Sequence, residues 1–145
     1  MSAENVELVR SLHVSSDVDV ATLVNDDDAA ARLRATIGDL FHHTVQCTMR
    51  LPGMAPVVYS GLDGLRLAWR DWLRQWASYR VEIEDMLDRG ERVVVVVRGH
   101  GRREHGAPEI TRRGATVWTV RDGRVSSVDF NVPYGEAVAA AVLAD

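Results

Sequence analysis

The sequence predicts an α+β domain with helices gathered on one face of a curved sheet, and three observations carry that expectation. Helical periodicity fills the first forty residues, strand-like alternation with hairpin signals fills the second half, and one long amphipathic segment lies between them. With 46% apolar and 26% charged residues, 145 residues can bury a sizeable core; no linker, repeat or low-complexity tract divides them. A single domain over residues 1–145 is expected.

Ser2 can cap a first helix that carries Val6, Val9, Leu12 and His13 on its inner side and ends near Ser15. A short second helix from Val18 to Val24 runs into Asp26, Asp27 and Asp28, whose charges suit the unpaired amides at the start of a third. The third helix would turn Ala30, Leu33, Ile37 and Leu40 inward. After His42 and His43 the period falls to two, with Val45, Cys47 and Met49 alternating against polar neighbours as in a half-buried strand. Leu51-Pro52-Gly53 breaks that strand, and Val57 to Tyr59 form a second. Ser60 to Asp63 has the spacing of a capping box and predicts a long helix. Along it Leu65, Trp69, Trp72, Trp76 and Tyr79 fall on one stripe, opposite a face bearing Arg66, Arg70 and Arg74.

Four strands are expected next. Val81 and Ile83 alternate, Val93 to Val97 form a five-valine run, and Thr116 to Val120 and Val125 to Val132 complete the set. Asp88 to Glu91 and Asp122-Gly123 are hairpin signals, the latter tolerant of the positive φ of a primed turn. Gly101 to Glu109 reads as a longer charged loop, and Glu136 to Leu143 as a short terminal helix. Valines on both faces of one strand call for a second cover, which predicts a homodimer through the sheet.

Composition excludes several classes. All 17 basic residues are arginine, so neither a phosphate-loop lysine nor a Schiff-base lysine exists, and no G-x-S-x-G stretch marks a nucleophile elbow. A formal charge of −4 lacks the basic excess that binding to a phosphate backbone requires, so no nucleic-acid partner is expected. Cys47 stands alone, which removes an intramolecular disulfide and any paired-thiolate zinc site. Neither a signal-peptide pattern nor a run of about 18 apolar residues occurs, so the expected address is cytoplasmic with no membrane contact.

Glu4 to Arg10, Tyr59-Ser60-Gly61-Leu62-Asp63-Gly64 leading into Trp69-Arg70-Asp71-Trp72, and Val117 to Val125 resemble SnoaL-like members of the nuclear transport factor 2-like superfamily. The likeness spans most of the chain. It implies a cone-shaped α+β barrel, a curved mixed or antiparallel sheet wrapped around the long helix, with a deep apolar pocket and usually a dimer. The superfamily holds ketosteroid isomerase, polyketide cyclases, scytalone dehydratase, limonene epoxide hydrolase and many non-enzymes, so fold alone does not select a reaction. Two departures stand out: residues 26–37 look like an added helix, and His42-His43-Thr44 replaces the Asp-Pro-Asp common in relatives. The resemblance also puts the cyclases' general base, an aspartate on the last strand, at Phe130, one position past Asp129.

Candidate chemistry centres on acid and base groups near apolar walls, where desolvation brings a carboxyl pKa toward working pH. Asp129 and His43 are the expected proton-moving groups. Tyr59, Trp69, Trp76, His100, Trp118 and Asn131 are expected to shape or hydrogen-bond a ligand site, although aromatic stripes are also the ordinary stuff of cores. Arg98, His100 and Arg102 alternate on one strand face, with Gly99 and Gly101 on the other leaving room for a ligand or a bend. No spaced ligand set suggests a metal, and no cofactor is expected. Two functions follow: a cofactor-independent isomerase, cyclase, dehydratase or hydrolase acting on an apolar small molecule, or a non-catalytic ligand-binding or dimerisation module.

Overall fold

A computed structural model describes residues 2–50 and 53–132; Met1, Leu51, Pro52, everything beyond Val132, and the side chains of Ser2, Asn131 and Val132 lie outside the described residues. The elements run α1 (Ser2–Ser11), α2 (Val20–Asn25), α3 (Asp27–Ile37), a 3-10 turn (Gly38–Leu40), β1 (Phe41–Met49), β2 (Val57–Ser60), α4 (Gly61–Leu73), β3 (Ser78–Arg89), β4 (Arg92–Arg102), β5 (Ile110–Arg121) and β6 (Arg124–Val132). The expected terminal helix from Glu136 to Leu143 lies outside the described residues. No described helix is long and apolar enough to cross a membrane.

Local chemistry explains most boundaries. Asp19 caps α2 by accepting from the Ala21 amide at 3.1 Å, and Asp26 caps α3 by accepting from Ala29 at 3.0 Å. Ser60 occupies the N-cap position of α4 but makes no side-chain cap bond, so the expected capping box is not formed; its fourth member, Asp63, instead pairs with Arg34. Asp122 and Gly123 have φ of 54° and 75°, the two positive values of a primed hairpin turn between β5 and β6. The long helix ends earlier than its aromatic stripe predicts. At Trp76 the amide turns back to Leu73 at 3.0 Å, and Ala77 donates to the Arg102 carbonyl at 2.7 Å, which carries the chain directly into β3.

All six strands form one sheet in the order β2-β1-β6-β5-β4-β3. Every pairing is antiparallel except β1 with β6. The α+β class and the mixed sheet are as expected, but the cone-shaped barrel is not formed: the sheet is open and not strongly curled. The physical reason lies at its edges. The four-residue β2 pairs only with β1, and β3 pairs only with β4 at the opposite end of the order, so no ladder joins the two edges. Nor does the sheet wrap around a long helix, since α4, 13 residues long, packs along β1 and β2 while α1 and α2 pack on β3.

The main core lies between the helices and one sheet face, built on Val9, Val45, Met49, Ala68, Trp72, Leu73, Val93, Val95, Trp118, Val128 and Phe130. A second, small apolar cluster on the other face joins Val94 and Ala115 with Leu87 and Val117. Val94 and Val96 are 0% and 1% exposed within one chain. Farther along that face the residues are charged: Glu84 takes Arg98 and Arg113, and His100 lies near Glu82 and Glu109.

Candidate functional site

Between the helices and the inner sheet face lies a cavity of about 350 Å³. Its floor comes from the inward side chains of the strands, among them Phe41, Met49, Val81, Ile83, Val97 and Phe130; its walls and roof come from the segment after α1 and from α2, α3 and α4. The alternation of β-strand side chains puts Trp118 and Thr116 on this same face of β5.

A chain of rings crosses the floor. Trp69 meets Phe130 edge-on at 5.1 Å, Phe130 meets Trp118 at 6.0 Å, and Trp118 faces the tilted ring of His13 at 5.3 Å. Two polar groups flank the Trp118 indole. The indole Nε1–H donates to the Thr116 hydroxyl at 2.8 Å, which leaves the hydroxyl hydrogen to donate elsewhere. On the other side His13 Nδ1 lies 2.8 Å from the Val9 carbonyl. A carbonyl only accepts, so Nδ1 carries the hydrogen and the neutral ring keeps its lone pair on Nε2. Burial holds the His13 pKa below its ordinary 6.5, opposed in part by the bond to Val9, so the neutral form is the favoured one. The cavity is therefore an apolar chamber with one polar end, offering an acceptor at His13 and a donor at Thr116.

The rim is charged but balanced. Arg34 of α3 pairs with Asp63 of α4, and Arg66 of α4 reaches Asp27 of α3 at 2.8 Å while also donating twice to the Val24 carbonyl, at 3.1 and 2.9 Å. Hydrogen bonding and charge from Arg66 hold the Asp27 carboxyl below its usual range.

Of the residues expected from sequence, Trp69 and Trp118 line the cavity. Asp129 is not among its lining residues; it sits on the opposite face of β6 from Phe130, bound to Arg50. His43 is exposed on β1 and does not line the cavity either. Tyr59 donates to Asp71 at 2.6 Å, and that bond with some burial pushes its pKa up to about 12. Trp76 is buried over Gly101, with the Arg103 guanidinium 4.8 Å from its ring centroid. His100 lies on the other sheet face, 2.9 Å from the Thr111 hydroxyl and 3.2 Å from Glu82. The side chain of Asn131 lies outside the described residues. Among the described residues no three His, Cys, Asp or Glu side chains come together as a metal site would require.

His13 and Thr116 were not singled out from sequence. Their signal was present: His13 continues the inward apolar spacing of Val6, Val9 and Leu12, just past the end of α1, and Thr116 is the hydroxyl in an inward alternation with Trp118 and Val120. What sequence could not show is that β5 brings them to one indole.

The profile of the family described as a SnoaL-like domain matches residues 19–128. No curated protein matches the chain in sequence. Among solved structures, it is similar to TerC co-crystallised with polyporic acid, at 15% identity over 97% of this chain and 98% of that one, with a TM-score of 0.64. It is similar also to an NTF2-like protein from Burkholderia pseudomallei K96243, at 17% identity over 94% and 95%, TM-score 0.64. A third is a protein of ketosteroid isomerase-like fold from Catenulispora acidiphila DSM 44928 in complex with trimethylamine, at 14% identity over 92% and 90%, TM-score 0.58. At such identities the likeness is one of fold.

Proposed function

The chain belongs to the SnoaL-like family, within the nuclear transport factor 2-like superfamily, and from that premise we propose that it binds an apolar small molecule in the cavity between helices and sheet. One observation carries the reading: a 350 Å³ chamber, walled by apolar side chains, converges on a single polar end. The ligand's body would lie along the Trp69, Phe130 and Trp118 rings. Its uncharged hydroxyl or carbonyl group would meet the His13 lone pair or the Thr116 hydroxyl. A carboxylate would find no unpaired cation there, because Arg34 and Arg66 are already matched by Asp63 and Asp27.

The test uses N-phenyl-1-naphthylamine, an uncharged apolar fluorophore, titrated into the full chain. Saturable one-to-one enhancement, lost in Val97→Trp, which fills the cavity from β4, supports the reading. Absence of saturable binding, or equal binding by the filled variant, rejects it.

A second reading, acid–base turnover without a cofactor, is favoured by the neutral His13 imidazole with its lone pair on Nε2. In this reading Nε2 accepts a proton from the bound molecule while Thr116 donates to its oxygen, as isomerisation, cyclisation or dehydration would need. Loss of product formation in His13→Gln with ligand binding retained would support it. Pairing of two copies through the sheet face opposite the cavity is also proposed; sedimentation that shows monomer across a 50-fold concentration range rejects it.

A further inference from the structure

We propose that α3 is a ligand-dependent cover: it swings away from α4 to admit a molecule to the cavity and is held down by the molecule it admits. The proposal rests on the reading of the cavity as a ligand site.

Not one of the 11 residues of α3 is buried. Its apolar side, Ala30, Leu33 and Ile37, nevertheless lines the cavity; Ile37, at the helix end, also packs against the main core, while Ala30 and Leu33 have the cavity before them. The backbone of α3 packs mainly on its own neighbours in the chain, α2 before it and the 3-10 turn after it. A helix of this length is marginal without a packed face. The partner surface that α3 lacks is the one a ligand filling the chamber would provide.

Both ends are built to bend. Asp26 is at once the C-cap of α2 and the N-cap of α3, in an extended conformation with φ −86° and ψ 116°, so a single residue joins the two helices. At the far end the chain passes through Gly38 into the 3-10 turn. Hinges of this kind sit at element ends and need only a few residues to absorb the movement. Arg66 anchors the chain just before the first hinge by donating twice to the Val24 carbonyl, and it reaches α3 itself only through the carboxylate of Asp27 at the helix's first residue.

Across the mouth the fastenings are ion pairs to exposed carboxylates, with Asp27 and Asp63 side chains 90% and 88% exposed. Pairs this solvated are screened and easily exchanged for water. They guide closure without locking it. A bound molecule, touching α3 only when the helix is down, has the differential affinity that shifts the population toward closed.

The experiment is hydrogen exchange on the full chain with and without saturating N-phenyl-1-naphthylamine, whose binding is first established by fluorescence. Amides of residues 30–37 are expected to exchange about tenfold or more slowly with probe bound, while amides of 93–97 in β4 stay unchanged. Probe that binds but leaves α3 exchange unaltered overturns the cover and spares the cavity reading. A wild-type chain that fails to bind the probe overturns both. In Asp27→Asn/Asp63→Asn, whose amides keep the side-chain size, probe dissociation and α3 exchange are expected to rise about threefold or more. Unchanged rates in that variant would overturn the role of the ion pairs as fastenings and, with it, the closed state proposed here.

Discussion

Arg50, the first residue after β1, grips Asp129 of the neighbouring parallel strand β6 in a two-pronged contact, Nε to Oδ1 at 3.1 Å and Nη2 to Oδ2 at 3.2 Å, on the sheet face away from the cavity. The fork ties the end of β1 to β6 where Thr48 and Asp129 are in register. Both side chains remain about a third exposed, at 39% and 34%, so solvent screens the pair. Asp129→Asn is therefore expected to cost less than about 1 kcal/mol in urea titration and to leave probe affinity unchanged. Lost turnover or binding in a stably folded variant would instead assign this carboxylate to the cavity.

Trp76 and Gly101 form a second kind of contact. The indole lies flat enough on the strand that a Cβ at residue 101 would strike its six-membered ring, and Gly99 receives the Tyr79 phenol in the same way. The two glycines thus leave room for rings of the same chain. Gly101→Ala is expected to destabilise the fold by forcing the indole aside. Trp76→Ala, which removes a side chain only 6% exposed, is expected to cost about 3–5 kcal/mol in denaturant titration. A loss below about 1 kcal/mol would mean the ring contributes little packing.

Much of the sheet was legible because side-chain alternation is a local signal: Val45, Cys47 and Met49 are buried as their spacing predicts. Residues whose fate depends on distant partners were less so. The change from helical period to strand alternation falls after His42 and His43 in the sequence, yet β1 already begins at Phe41, where the chain pairs with Val125. The aromatic stripe predicted helix through Tyr79, but the bond from Ala77 to Arg102 ends it sooner, and Trp72, Trp76 and Tyr79 still meet as a ring cluster. Barrel closure was expected from resemblance alone. Edge pairing between β2 and β3 would depend on how the sheet curls past the intervening α4, about which local periodicity is silent. The cavity's polar end was hidden for the same reason, since His13 and Thr116 lie about a hundred residues apart in sequence and acquire a shared role only beside Trp118.

Thr116 supplies a direct test of that polar end. Thr116→Val keeps the branched shape that suits a strand but removes the acceptor from the indole N–H of Trp118, a residue only 6% exposed. Leaving a buried donor unmatched costs about 1–3 kcal/mol, measurable by urea titration. Thr116→Ser, which restores the hydroxyl, is expected to recover most of the N–H bond and the affinity for hydroxyl-bearing ligands. Equal stability of the valine and serine variants would show that the indole finds another acceptor.

His13 gives the protein a pH dependence whose sign follows from its environment. Well above pH 6.5 the ring is neutral in folded and unfolded chains alike, so it contributes no slope. As pH falls through 6.5 the unfolded chain takes up a proton that the buried native ring resists. Stability must then decline, and it levels off only once the native ring is protonated too. His13→Gln removes this contribution and leaves the rest of the chain as it is, so the difference between wild-type and variant urea midpoints isolates it. The wild type is expected to lose stability relative to the variant as pH drops below 6.5, and a flat difference would reject the account of burial. Probe affinity is expected to fall over the same range. A molecule seated against Nε2 deepens the ring's desolvation and so opposes its protonation, which by linkage means that protonation expels the molecule.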